Sequence, residues 1–159
     1  MLDALKAVHD DVLAQIDALE AILREPLPSR DVLTNVRWRL MRASRNRLKL
    51  LDEQIYPALA DVLPDRIAAF RADDVAKRAA SAAHIARWHV AHILTDWGGY
   101  RKVSAAITAE MRRRIVDEQK AFYPALRRRE LIPSADSPSG RSTRLPQDTL
   151  AEMPRSRRG

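Results

Sequence analysis

The chain carries no glycine before Gly98. So long a stretch without glycine has little access to left-handed turns, and it is dominated by alanine, leucine and arginine, which favour helix. No β-branched run alternating with period two is present. Leu2, Leu5, His9, Val12, Ile16, Leu19 and Leu23 recur at spacings of three and four, one continuous stripe of a helix from about Asp3 to Arg24. EPLPSRD ends it through Pro26 and Pro28, and Ser29 or Asp31 can cap the next start. A second helix is predicted to run to about Val62, closed by Pro64-Asp65. A third runs from Asp65 to Gly98-Gly99, with a break expected around Arg71 to Asp74, and a fourth from Tyr100 to Arg129. Short connections between long amphipathic helices predict an all-α, up-down-up-down four-helix bundle over residues 1–130. Residues 131–159 are rich in Pro, Ser and Arg without a periodic apolar face, and are expected to form a disordered basic tail.

A proline-bearing motif is written twice. LLDEQIYPAL at Leu50 to Leu59 returns as IVDEQKAFYPAL at Ile115 to Leu126, near the expected ends of helices two and four. A repeat at that distance suggests a duplicated helical hairpin. Each proline removes a backbone hydrogen bond and crowds the carbonyl of Glu53 or Lys120, so each helix end should bend.

The stripes also pass through polar residues. In helix two Val36, Leu40, Ala43, Arg47, Leu50 or Leu51, and Gln54 line up; in helix four Val103, Ile107, Met111, Arg114, Glu118 and Phe122 do. His9 interrupts the stripe of helix one. In helix three Ala82, Ala86, His89, Ile93 and Trp97 place His89 inward, with His92 one turn on and His84 more peripheral. Each helix thus brings a polar group to the inner face, and each such group must find a partner or destabilise the fold.

At these residues the chain resembles the hemerythrin-like, HHE-type cation-binding proteins, whose four-helix bundle holds a di-iron centre. The resemblance covers about residues 1 to 130. Its strongest mark is the duplicated YPAL ending, set against the family pattern H-x-x-x-E-E-x-x-L-[FY]-P-x-L. Carried over residue by residue, it makes His9 the helix-one ligand, His89 the helix-three ligand with His92 as substitute, and Glu118 the helix-four carboxylate. The helix-four histidine position holds Arg114. In helix two the histidine position holds Arg47 and the carboxylate position Leu51, with Asp52 and Glu53 rotated away. Arginine stays protonated and has no acceptor, so both substitutions oppose a metal cation. The resemblance therefore implies a degenerate metal site with no cofactor expected; the alternative is iron, or one metal ion, on the reduced set His9, His89 and Glu118.

Two successors to the metal follow. Glu118 can pair with Arg114 or Arg47, with His9 and His89 around it, leaving a scaffold whose function lies on its surface. Or Arg47 and Arg114 can clamp a small anion in the old cavity. The composition bears on partners: net charge is +7 and the sequence pI about 10.3, which suits an acidic protein or an anion. Arg37, Arg39, Arg42, Arg45 and Lys49 with Trp38 on helix two, and Arg112, Arg113 and Arg127 to Arg129 on helix four, offer a positive surface. No nucleic-acid motif accompanies them, so nucleic acid is disfavoured. Cysteine is absent, which excludes disulfides and thiol chemistry. No nucleophile elbow, glycine-rich phosphate loop or H-E-x-x-H is present, so an enzyme is not expected. The first residues lack the signal-peptide pattern and no run is apolar enough to span a bilayer, so a cytoplasmic protein without a membrane partner is expected.

Overall fold

The computed structural model describes residues 1–132, and among these every regular element is helical. The tail expected from 131 onward lies, beyond Ile132, outside the described residues. The elements are α1 (Leu2–Leu23), α2 (Arg30–Leu50), a π-helical turn (Leu51–Ile55) leading directly into α3 (Tyr56–Leu59), α4 (Pro64–Arg87), α5 (Val90–Thr95) and α6 (Trp97–Leu131).

α1 buries the seven residues of its stripe, His9 included. Its pairing with α6 is antiparallel along the whole length. The Leu2 N–H donates to Glu130 near the end of α6, Arg112 reaches Asp17 and Glu20, and Trp97 Nε1 donates to the Glu25 carbonyl at 3.0 Å. α4 also runs against α6, since Phe70 meets Phe122, Lys77 meets Glu110, and His84 stacks on Tyr100.

The interior is layered. At one end Leu2, Leu5, Leu51, Ile55, Tyr56, Leu59, Ile67, Phe70 and Phe122 form an apolar cluster. Val12, Ile16, Ala43 and Ile115 form a second, and Leu19, Leu23, Leu33, Val36, Trp88, Ile93, Trp97 and Tyr100 close the other end. Between the first and second clusters each long helix inserts a buried polar residue: His9 between Leu5 and Val12, Arg47 between Ala43 and Leu51, Asp74 one turn past Phe70, and Arg114 with Glu118 flanking Ile115.

Four expectations need correction. The third helix does not break near Arg71 to Asp74 or run on to Gly98. It ends at Arg87, where Trp88 leaves helical geometry and is carried into the core. The Gly98-Gly99 pair does not end a helix; it lies in the first turn of α6, because Asp96 leaves helical geometry and its Oδ1 accepts the Gly99 N–H at 3.0 Å. Ala82, Ala86 and His89 are exposed rather than inward, since from Val75 to Arg87 α4 turns nearly all its side chains to solvent. In the first half of α6 the buried positions are Trp97, Tyr100, Ser104 and Thr108, while Val103 is exposed.

The two YP copies resolve differently. Before Pro57 the ladder slips by one residue, so that the Tyr56 N–H bonds the Leu51 carbonyl and the π turn relieves the proline clash. Pro124 is accommodated inside α6, which continues to Leu131.

The two glycines of α6 separate cleanly. A Cβ on Gly99 would collide with the Asp96 carboxylate that caps the helix, whereas a Cβ on Gly98 meets nothing within 4 Å. Gly99→Ala should therefore cost about 1 kcal/mol through loss of the cap. Gly98→Ala should be neutral or stabilising by up to about 1 kcal/mol. Urea denaturation of the two variants beside the parent checks the pair.

Candidate functional site

Glu118 is the centre of the polar layer and has no solvent exposure. Its Oε2 bonds His9 Nε2 at 2.8 Å, and its Oε1 accepts from Arg114 Nε at 2.7 Å and Arg47 Nη2 at 3.2 Å. A carboxylate only accepts, so His9 donates to it from Nε2; the His9 Nδ1 is hydrogen-bonded to the Tyr123 hydroxyl at 2.8 Å. The cluster joins residues distant in sequence because α1 and α6 run antiparallel with His9 and Glu118 at the same depth.

Arg114 extends the network to α4. Its Nη1 donates to Asp73 Oδ2 at 2.5 Å, and its Nη2 to Asp74 Oδ1 at 2.6 Å and to the Phe70 carbonyl at 3.1 Å. Its guanidinium carbon lies 4.2 Å from the centre of the Phe70 ring, so that face is used as well. Asp74 in turn accepts from the Tyr56 hydroxyl at 2.5 Å. The two tyrosines of the duplicated motif thus do parallel work: Tyr56 holds Asp74 and Tyr123 holds His9. Arg47 is less well provided for. Glu118 is its one hydrogen-bonded partner among the described residues, and its buried Nε has none.

The electrostatics follow from this packing. Burial alone would raise the Glu118 carboxyl, but the His9 hydrogen bond and the charges of Arg47 and Arg114 outweigh it and hold the group below its ordinary value of 4.5. Burial pushes the Asp74 carboxyl up from 3.8, against the pull of Tyr56, Arg114 and Arg47. Burial and the bond to Asp74 push the Tyr56 hydroxyl well up, so it remains a donor. Burial works against the charge of Arg114, but Glu118 and Asp74 more than restore it, so the guanidinium stays protonated. The two buried arginines and the two buried carboxylates balance in charge.

The residues singled out in the sequence divide. His9, Arg47, Arg114 and Glu118 come together. Leu51, at the position where the resemblance places a second carboxylate, is fully buried and opens the π turn within the apolar cluster. His89 does not join them. It is exposed at the N-terminus of α5, where its Nδ1 accepts the His92 N–H at 3.2 Å and caps that helix. The physical reason is the break at Trp88, which takes His89 out of the helical register that pointed it inward. Among the described residues no three His, Asp or Glu side chains are grouped so as to hold a metal ion. The sequence reading missed Asp74, Asp73, Tyr56 and Tyr123. The tyrosines were signalled by their place before each proline; Asp74 was hidden because a helix break was expected there.

Comparison of the chain with protein-family models, with curated proteins and with solved structures finds no match.

Glu118 sets the energetics that can be measured. Replacing it leaves Arg47 buried without its ion-pair partner, so Glu118→Gln should cost ~3–5 kcal/mol at neutral pH. Adding Arg47→Met to that variant should recover part of the loss, because the stranded cation is gone. The pH dependence has a defined sign. A carboxyl whose folded pKa is lowered contributes stability above its unfolded value and loses it as pH falls through the folded one. The gap between parent and Glu118→Gln should therefore shrink as pH drops below 4.5. Asp74, raised above 3.8, contributes the opposite way, present below that value and lost as pH rises through its folded pKa. Chemical denaturation of parent, single and double variants between neutral pH and about pH 3 reads both effects.

Proposed function

We propose that this chain is a hemerythrin-like, up-down-up-down four-helix bundle whose di-iron ligands have been replaced by a buried guanidinium–carboxylate network. On this reading it works as a non-catalytic binding, sensing or regulatory protein. The supporting observation is the occupancy of Glu118. The one carboxylate at a family ligand position spends Oε1 on two guanidiniums and Oε2 on His9. Arg47 and Arg114, which occupy equivalent places ahead of the two YP prolines, converge on the same oxygen, as a duplicated hairpin would bring its two former histidines to one centre.

The residues present do not fit a di-iron centre. A metal ion bound to Glu118 would have to displace His9 and two guanidiniums, and it would meet two fixed positive charges within ion-pairing distance of its own ligand. The guanidinium of Arg114, which joins Glu118 to Asp73 and Asp74, does structurally what a bridging cation would do. With the interior committed to structure, partner contacts fall to the surface. Among the described residues no helix is long and apolar enough to cross a membrane, and the positive charge points to an acidic partner or a small anion.

Metal analysis by mass spectrometry with a visible spectrum tests this reading. The purified protein should carry no stoichiometric iron, and Fe²⁺ or Zn²⁺ should leave its melting temperature unchanged. A metal binding at ~100 times its Kd would add about 2.7 kcal/mol, a shift that melting detects. A pair of irons with oxo-bridge absorption would overturn the proposal.

A further inference from the structure

The arginines that offered an anion clamp in the sequence are committed in the structure to Glu118 and the aspartates. Elsewhere, cations without partners do converge. Between the end of α1 and the first turns of α6 lies an open cleft of about 520 Å³, lined among others by Arg24, Gly98, Arg101, Lys102, Thr108 and Glu20. That volume is of the size that holds small molecules. Arg24 stands at the C-terminal end of α1, and Arg101 and Lys102 project from the second turn of α6. Among the described residues none of the three has an ion-pair partner.

The one acid in the lining is already neutralised. Arg112 donates to Glu20 through Nε at 3.2 Å and Nη2 at 2.9 Å, and holds its carboxyl below the ordinary value. The neighbouring acids Glu25 and Asp96 do not line the cleft, and Asp96 is turned to the Gly99 N–H. The cleft is therefore positive inside.

Gly98 adds an independent observation. Glycine in a helix is unfavourable relative to alanine, and here packing does not demand it, since a Cβ would meet nothing within 4 Å. Its neighbour Gly99 is accounted for by the Asp96 cap; Gly98 is not. Gly98 lines the cleft together with the three cations, and the space beside its Cα is open.

We propose that this cleft binds a small polyanion carrying at least two neighbouring phosphoryl or carboxylate groups. Arg24 from the end of α1 and Arg101 from α6 supply planar, paired donors, and Lys102 adds a point charge. The site is separate from the buried network and needs no metal, so it stands whether or not the family reading does.

Calorimetric titration of the full chain with pyrophosphate and with citrate, at ~50 mM salt where phosphate contacts are not screened out, tests the site. Saturable binding of one anion per chain is expected, and whichever probe binds tells a phosphoryl from a carboxylate ligand. Arg24→Ala with Arg101→Ala should weaken it ~10-fold or more, as loss of charge-assisted hydrogen bonds does. Gly98→Leu should weaken it comparably by filling the cleft without changing charge; its circular dichroism should match the parent. Arg39→Ala with Arg42→Ala, on the exposed face of α2, should leave it unchanged. Absence of saturable heat with both probes overturns the proposal. So does an equal loss in the α2 variant, which would mean diffuse charge attraction, or full binding by Gly98→Leu, which would place the anion outside the cleft.

Discussion

A carboxylate with no access to water holds this structure's interior in register. Glu118 has lost its hydration entirely, and isolated that would be prohibitive. It is tolerated because its oxygens are met by two guanidiniums and an imidazole from three helices, and because Arg114 carries the same network to the aspartates of a fourth. The geometry is mutually dependent: His9 must sit at the depth of Glu118, and Asp74 one turn beyond Phe70. A slip of any helix by one residue would strand a charge. An apolar layer of the same volume would be at least as stable but would tolerate such slips. The polar layer therefore specifies alignment more than it adds stability.

The same layer governs what chemistry the interior can perform. A di-iron centre needs lone pairs facing a shared cation. Here the lone pairs of Glu118 face two guanidiniums and an imidazole N–H, and a guanidinium stays protonated in proteins. Among the described residues the buried side-chain polar atoms find partners within the protein, Arg47 Nε and Ser104 Oγ excepted. Outside this layer, Arg24, Arg101 and Lys102 have no ion-pair partner among the described residues. They line the cleft beside Gly98, at the end of α1 and the start of α6.

Much of this was legible in the sequence where helical periodicity held. The stripe of α1 and the inward turn of Arg47, Arg114 and Glu118 follow from spacings of three and four. Periodicity failed where the chain left the helix. Trp88 and Asp96 break the third segment through backbone angles that no glycine or proline announces, and His89 is lost from the inner face as a result. It failed again in the first half of α6, where Ser104 and Thr108 are buried in place of the more apolar Val103. The tyrosine hydroxyls were in plain view in the motif, but their partners, Asp74 and His9, are set by tertiary packing between distant segments, which a single sequence does not display.

The network holds together only while Arg114 points into the protein and stays there. Side-chain nitrogen resonances of arginine, followed by NMR after transfer to deuterated water, test this directly, with Arg114→Lys used to assign the signal. The Nε–H that donates to Glu118 should exchange far more slowly than those of the exposed arginines of α2, because it is buried and bonded to a carboxylate. Exchange as fast as that of the exposed arginines would place the guanidinium in water and contradict the central claim.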